Sequence, residues 1–242
     1  MIKIPIKKQP DETTCGPTSL HSLYEYYKDP VTLSTVIDEV LQFEEGGTVG
    51  ALLGVHALLR GYNAKIYTYN LQVFDPTWFV LDKESLIVKL NEQQSIKNET
   101  KLTTVTEAYV SFLNLGGKLH FEDLRPALLR KYLKNGHPII AGLSATYLYK
   151  SKREYGPNSD YDDLRGEPAG HFVLLSGYDP ETREVQIADP ISHNPLGEGM
   201  IYRMKIDTVI NAILLGIITY DANLIIITPK KSPRDHETTY HR

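Results

Sequence analysis

Apolar residues recur at helical spacing through the first quarter of the chain. After Gly16-Pro17, positions Leu20, Leu23, Tyr24 and Tyr27 fall on one side of a helix, and Asp29-Pro30 stops the run. The pattern predicts a helix that begins at Cys15. Ser34 is expected to cap a second helix through about Gln42. Thr48 is expected to open a third, VGALLGVHALLRGY, with Gly61 as its stop. AKIYTYNL then alternates as a strand does, and residues 83 to 115 predict two more helices separated by a polar hinge at Lys97 to Thr100.

The second half has a different rhythm. GGKLHFE reads as a short strand, DLRPALLRKYLKNG as a helix closed by Asn135-Gly136, and HPIIAGLS as an apolar strand. From Thr146 to Gly170 there is little periodicity, so a long loop is expected, of the kind that either rims a functional site or is disordered. HFVLLSGYD, EVQIADP and GMIYRMK follow as successive strands, then a helix near 206 to 216 and a last strand, NLIIIT. Helices lead and strands follow, which predicts an α+β fold: a helical N-terminal lobe packed on a mainly antiparallel sheet lobe, the two meeting along a groove. Residues 1 to 230 are read as one domain and 231 to 242 as a polar tail.

Composition narrows the function classes. With 242 residues, 41% hydrophobic and 23% charged, and a net charge of −4, nothing points to nucleic acid or to an anionic membrane surface. TVINAILLGIITY, Thr208 to Tyr220, is too short to span a bilayer, and MIKIPIKKQPDE lacks the apolar core of a signal peptide. A single cysteine cannot form an internal disulfide, so a cytoplasmic location is expected.

That cysteine is also the main chemical candidate. A lone cysteine is commonly a small buried hydrophobe, but Cys15 falls at a helix N-terminus, where unpaired N–H groups and the macrodipole favour a negative sulfur. A thiolate nucleophile needs a base, and the base needs an orienting acceptor. His171 opens a strongly apolar strand, and Asp189 ends the next one 18 residues later, the length of one hairpin. If those strands pair antiparallel, their outer ends meet and set Asp189 at the groove edge beside His171. Gln9, six positions before the cysteine, carries an amide able to donate to an oxyanion, together with a backbone N–H of the helix start. Taken singly, His171 can be a strand-end histidine, Asp189 a turn starter and Gln9 a solvated loop residue; the combination carries the reading.

Gln9, Cys15-Gly16-Pro17, Gly170-His171-Phe172-Val173-Leu174-Leu175 with Gly177-Tyr178-Asp179, and Ala188-Asp189-Pro190, in this order and spacing, resemble the papain-like cysteine peptidases of the bacteriocin-processing, C-thirty-nine-like type. The resemblance spans roughly residues 4 to 228, with a helical insertion at about 83 to 115. It implies a papain-like fold with Cys15 as nucleophile, His171 as general base and acid, Asp189 as orienting group and Gln9 as oxyanion donor. Exporter-borne members of that family carry an aspartate directly before the cysteine, where this chain has Thr14.

The expected chemistry is cleavage of a peptide or related amide through a thioester on Cys15. Transfer of the acyl group to an amine or thiol is the alternative, and a non-catalytic peptide-binding module is a third. Gly170, Tyr147 and Tyr149 are expected to contact substrate, since the tyrosines of the 146 to 170 stretch, with Tyr155 and Tyr161, either line a groove or pin the loop. No cofactor and no metal is expected: His21, His56, His120, His137 and His193 show no close pairing, and His236 and His241 fall in the tail. GGTVGALLG, Gly46 to Gly54, lacks the Lys-Ser/Thr of a phosphate loop. A peptide or amide is the expected partner, and no oligomeric state follows from the pattern.

Overall fold

A computed structural model of the chain describes residues 2–43, 47–191, 193–197 and 199–230; the expected tail lies outside the described residues. The three leading helices are α1 (Cys15–Tyr26), α2 (Leu33–Glu39) and α3 (Gly50–Leu59). The next elements are β1 (Asn63–Thr68), the helix pair α4 (Lys83–Lys97) and α5 (Thr100–Asn114), β2 (Lys118–His120), α6 (Pro126–Lys134) and β3 (Ile139–Ser144). The chain closes with α7 (Ala145–Tyr149), the two-residue strands β4 (Glu154–Tyr155) and β5 (Asp160–Tyr161), β6 (Gly170–Asp179), β7 (Glu184–Ala188), β8 (Ile201–Lys205), α8 (Ile206–Leu215) and β9 (Asn223–Thr228).

Among the described residues, seven strands form one sheet in the order β2-β1-β9-β3-β6-β7-β8. Every pairing is antiparallel except β1 with β2. The class is the expected α+β, and the sheet is the expected mainly antiparallel one. Strand alternation divides its side chains between two cores. Ile140, Phe172, Leu174, Ile225 and Ile227 face α1, α3, α4 and α5, whereas Ile139, Leu143, Val173, Leu175, Leu224 and Ile226 face α6, α7 and α8. The sheet is therefore a middle layer, with the later helices covering the face that the leading helices leave open.

Several boundaries moved for local reasons. Thr32, not Ser34, caps α2: its Oγ1 accepts from the Thr35 N–H at 3.1 Å, and the helix stops at Glu39, before Gln42. The stretch read as a loop from 146 contains α7, started by Ser144, whose Oγ accepts from the Tyr147 N–H at 3.3 Å, and the small β4–β5 hairpin. Helices α4 and α5 are where the pattern set them. Leu86, Leu90, Leu102, Val105, Tyr109 and Phe112 join them to the first core, and the Tyr109 hydroxyl donates to Asn223 Oδ1 on β9 at 3.1 Å.

Helix α1 lies on β6. Leu20, Leu23 and Tyr24 are fully buried, and the Ser19 hydroxyl donates to the Phe172 carbonyl at 3.2 Å. Gly16 permits the approach of the first turn, because a Cβ there would sit 2.7 Å from Thr48 Cγ2 and 3.3 Å from the Phe172 ring. The first residues of α1 and of β6 are thereby brought together at one end of the sheet.

Candidate active site

Cys15 is the first residue of α1 and is half-buried. Its neighbour Thr14 makes no side-chain cap, since its hydroxyl donates instead to the Asp11 carbonyl, and Pro17 has no N–H to offer. The helix start therefore presents the Cys15 and Gly16 N–H groups without a capping side chain. Such groups can donate to an oxygen bound beside the sulfur.

The hairpin of β6 and β7 has the expected pairing. Leu174 stands opposite Ala188, so His171 and Asp189 lie on the same sheet face as diagonal neighbours. His171 Nε2 donates to Asp189 Oδ1 at 2.8 Å, so Nδ1 is the ring nitrogen left over, and Cys15 and His171 line one cleft. Burial works against a charged imidazole here. The Asp189 carboxylate and the Cys15 sulfur outweigh it and hold His171 well above the ordinary histidine range.

Asp189 is not at a wet groove edge as the strand pattern suggested; it is fully buried. Four donors surround it. Oδ1 takes the His171 ring N–H and the Ile191 N–H at 3.1 Å, and Oδ2 takes the hydroxyls of Tyr149 and Tyr202, each at 2.7 Å. Burial pushes its carboxyl up, but the His171 charge and these bonds prevail and hold it below the usual aspartate range. Tyr202, from β8, was not singled out in the sequence, although the alternation of IYRMK turns it toward the second core.

The other expected residues are placed as follows. Gln9 is buried, with its backbone N–H on the Pro190 carbonyl at 2.9 Å and its side-chain Nε2 on the Asp11 carbonyl at 2.8 Å; among the described residues its Oε1 has no partner. One amide hydrogen is left for a ligand. Tyr149, expected to face substrate, is buried with its hydroxyl on Asp189. Tyr147 packs against the second core under the Lys150 ammonium, 3.3 Å from the ring centre. Gly170 does border the cleft, together with Cys15 and His171.

That cleft has a volume of about 310 Å3 and is also lined by Glu12, Phe43, Thr48, Lys101, Thr219 and Asp221. Lys101 comes from α5, so that helix reaches the cleft. Gly170 has to be glycine, since a Cβ would run into the Asp221 carboxylate and the Thr219 side chain. Among the described residues, no group of His, Cys, Asp and Glu side chains has the arrangement of a metal site, and no helix is long and apolar enough to cross a membrane.

A family model described as the Peptidase_C39 like family matches residues 1–208. A solved Bacillus anthracis protein assigned as a C39-like peptidase aligns over 95% of this chain and 96% of its own, at 14% identity and a TM-score of 0.50, a likeness of fold. Two further solved structures align over 95% of this chain. One is a double glycine motif protease from an AMS/PCAT transporter in complex with the leader peptide, with 94% of its chain covered, 15% identity and a TM-score of 0.46. The other is the peptidase domain of Streptococcus ComA, a bi-functional ABC transporter involved in a quorum sensing pathway, with 100% of its chain covered, 13% identity and a TM-score of 0.43. No curated protein matches the chain.

Proposed function

The chain belongs to the Peptidase_C39 like family, and from that premise we propose that it is a cysteine-dependent peptidase or amidase with Cys15 as nucleophile. The observation that carries the reading is the Asp189–His171 hydrogen bond in a cleft that His171 shares with Cys15, the first residue of the uncapped α1.

The thiolate of Cys15 attacks the acyl carbon of a peptide or related amide. Negative charge then moves to the carbonyl oxygen, which the Gln9 amide and the N–H groups at the head of α1 stabilise. The His171 imidazolium gives its Nδ1 proton to the leaving amine as the carbon–nitrogen bond breaks, and a thioester remains on Cys15. Neutral His171 next takes a proton from water, whose oxygen attacks the thioester, and the acid product leaves as the thiolate–imidazolium pair is restored. Asp189 fixes the ring so that Nδ1 faces sulfur throughout, and Tyr149, Tyr202 and the Ile191 N–H hold Asp189. A free thiol is required, which suits a reducing compartment such as the cytoplasm.

The test is digestion of a proteome-derived peptide library, read by mass spectrometry for new termini. Wild type should produce them and His171→Ala should not. Gln9→Ala should cut the same bonds about a hundred- to a thousandfold more slowly, the usual cost of one oxyanion donor. Cleavage by Gln9→Ala at the wild-type rate would remove Gln9 from the mechanism, and cleavage by His171→Ala at that rate would remove the mechanism itself.

A further inference from the structure

Asp221 lines the same cleft and has no part in the acyl-transfer steps above. It is buried, 5% exposed, and Thr219 Oγ1 donates to its Oδ2 at 2.6 Å. Among the described residues, its Oδ1 receives no hydrogen bond, and no ion pair reaches the carboxylate. The chain is bent to put it there: the residues on either side, Tyr220 and Ala222, both have positive φ, 67° and 34°, a costly conformation for side chains other than glycine. Gly170 is bare on the side where the carboxylate stands. A buried carboxylate with no cation in direct contact is costly as an anion, and a ligand that brings a positive charge against it lowers that cost.

We propose that Asp221 makes this wall of the cleft a subsite for a positively charged group, so that the substrate is a peptide carrying a lysine, an arginine or a free ammonium beside the scissile bond. The proposal rests on the peptidase reading and specifies its substrate class. Three other charged groups face the same space. Lys101 on α5 is exposed and sits over the Tyr220 ring, 4.8 Å from its centre; His171 comes from β6, and Glu12 from the segment before α1. Burial first, opposed by the Thr219 hydroxyl and the charges of Lys101 and His171, pushes the Asp221 carboxyl up to about 7. The Asp221 carboxyl is accordingly neutral below that value and anionic above it.

The test compares how fast Cys15 reacts with two methanethiosulfonates, one bearing a trimethylammonium-ethyl group and one a neutral hydroxyethyl group. In both reactions the thiolate forms a disulfide and methanesulfinate leaves with the electron pair, so the ratio of rates cancels the ionisation of the thiol. In wild type the cation-to-neutral ratio should rise by about tenfold as the pH passes upward through 7, a size set by one charge at close range in a partly screened cleft. In Asp221→Asn the ratio should be flat with pH. A flat ratio in wild type, or the same rise in the variant, overturns the proposal, and the wild-type profile decides even if the variant fails to fold. A charge preference without any peptide cleavage would support the subsite and defeat the peptidase reading. Cleavage through Cys15 with a flat ratio would do the reverse.

Discussion

Cys15→Ala is expected to turn over none of the peptides that the wild-type chain cleaves, a loss of about a millionfold or more, because no covalent route remains when the nucleophile is gone. Stability should hardly change. The sulfur is half-buried at the helix start, whereas α1 is anchored by Leu20, Leu23 and Tyr24 in the first core and by Ser19 on the Phe172 carbonyl. Unfolding by denaturant should therefore place the variant within about 1 kcal/mol of wild type. Activity and stability thus separate, which distinguishes a lost nucleophile from a broken fold. Full activity in the variant would show that cleavage, wherever it comes from, does not pass through Cys15.

Asp189→Asn should damage both properties. Removing the charge leaves His171 free to take the wrong tautomer, and the rate should fall by about ten-thousandfold. It also removes one partner of a buried ion pair, at a stability cost of about 3 kcal/mol. The pH dependence gives this prediction its sign. His171 has a raised folded value, so its contribution is complete below the unfolded histidine value and is lost as pH rises through the folded one. Asp189 has a lowered folded value, so its contribution is complete above the unfolded aspartate value and is lost as pH falls through the folded one. The deficit of the variant should therefore be largest between about pH 4 and 6.5, the interval between the two unfolded values, and shrink on either side. Chemical denaturation across pH measures it, and a deficit that does not vary with pH would mean that the pair contributes no charge interaction.

Much of the proposed line Cys15, His171 and Asp189 was legible because it is written in local signals. Gly16-Pro17 and the apolar spacing after it place Cys15 at a helix start, and the short link between β6 and β7 brings His171 to Asp189. The surroundings of Asp189 were not legible in the same way. Nothing local says that Tyr149 from α7 and Tyr202 from β8 converge on one oxygen, since that depends on how α7 and β8 pack on the second core. The reading of 146 to 170 as a groove-lining loop missed α7, a helix of five residues, too short to show a period. Asp221 was equally silent. It lies in the connection from α8 to β9 and reaches the cleft because β9 inserts beside β3, a neighbour far away in sequence. The cap of α2 is Thr32 and not the expected Ser34, because it is the Thr32 hydroxyl that meets the Thr35 N–H.

The covalent intermediate is the centre of the account, and intact-mass spectrometry on rapidly acid-quenched wild-type protein, mixed with a cleaved peptide or an activated ester of it, tests it most directly. The account predicts a transient mass increase equal to the acyl fragment, mapped to Cys15, discharged by hydroxylamine, and missing from Cys15→Ala. Cleavage that proceeds with no adduct on Cys15 at any time, or with an adduct on another residue, would contradict it.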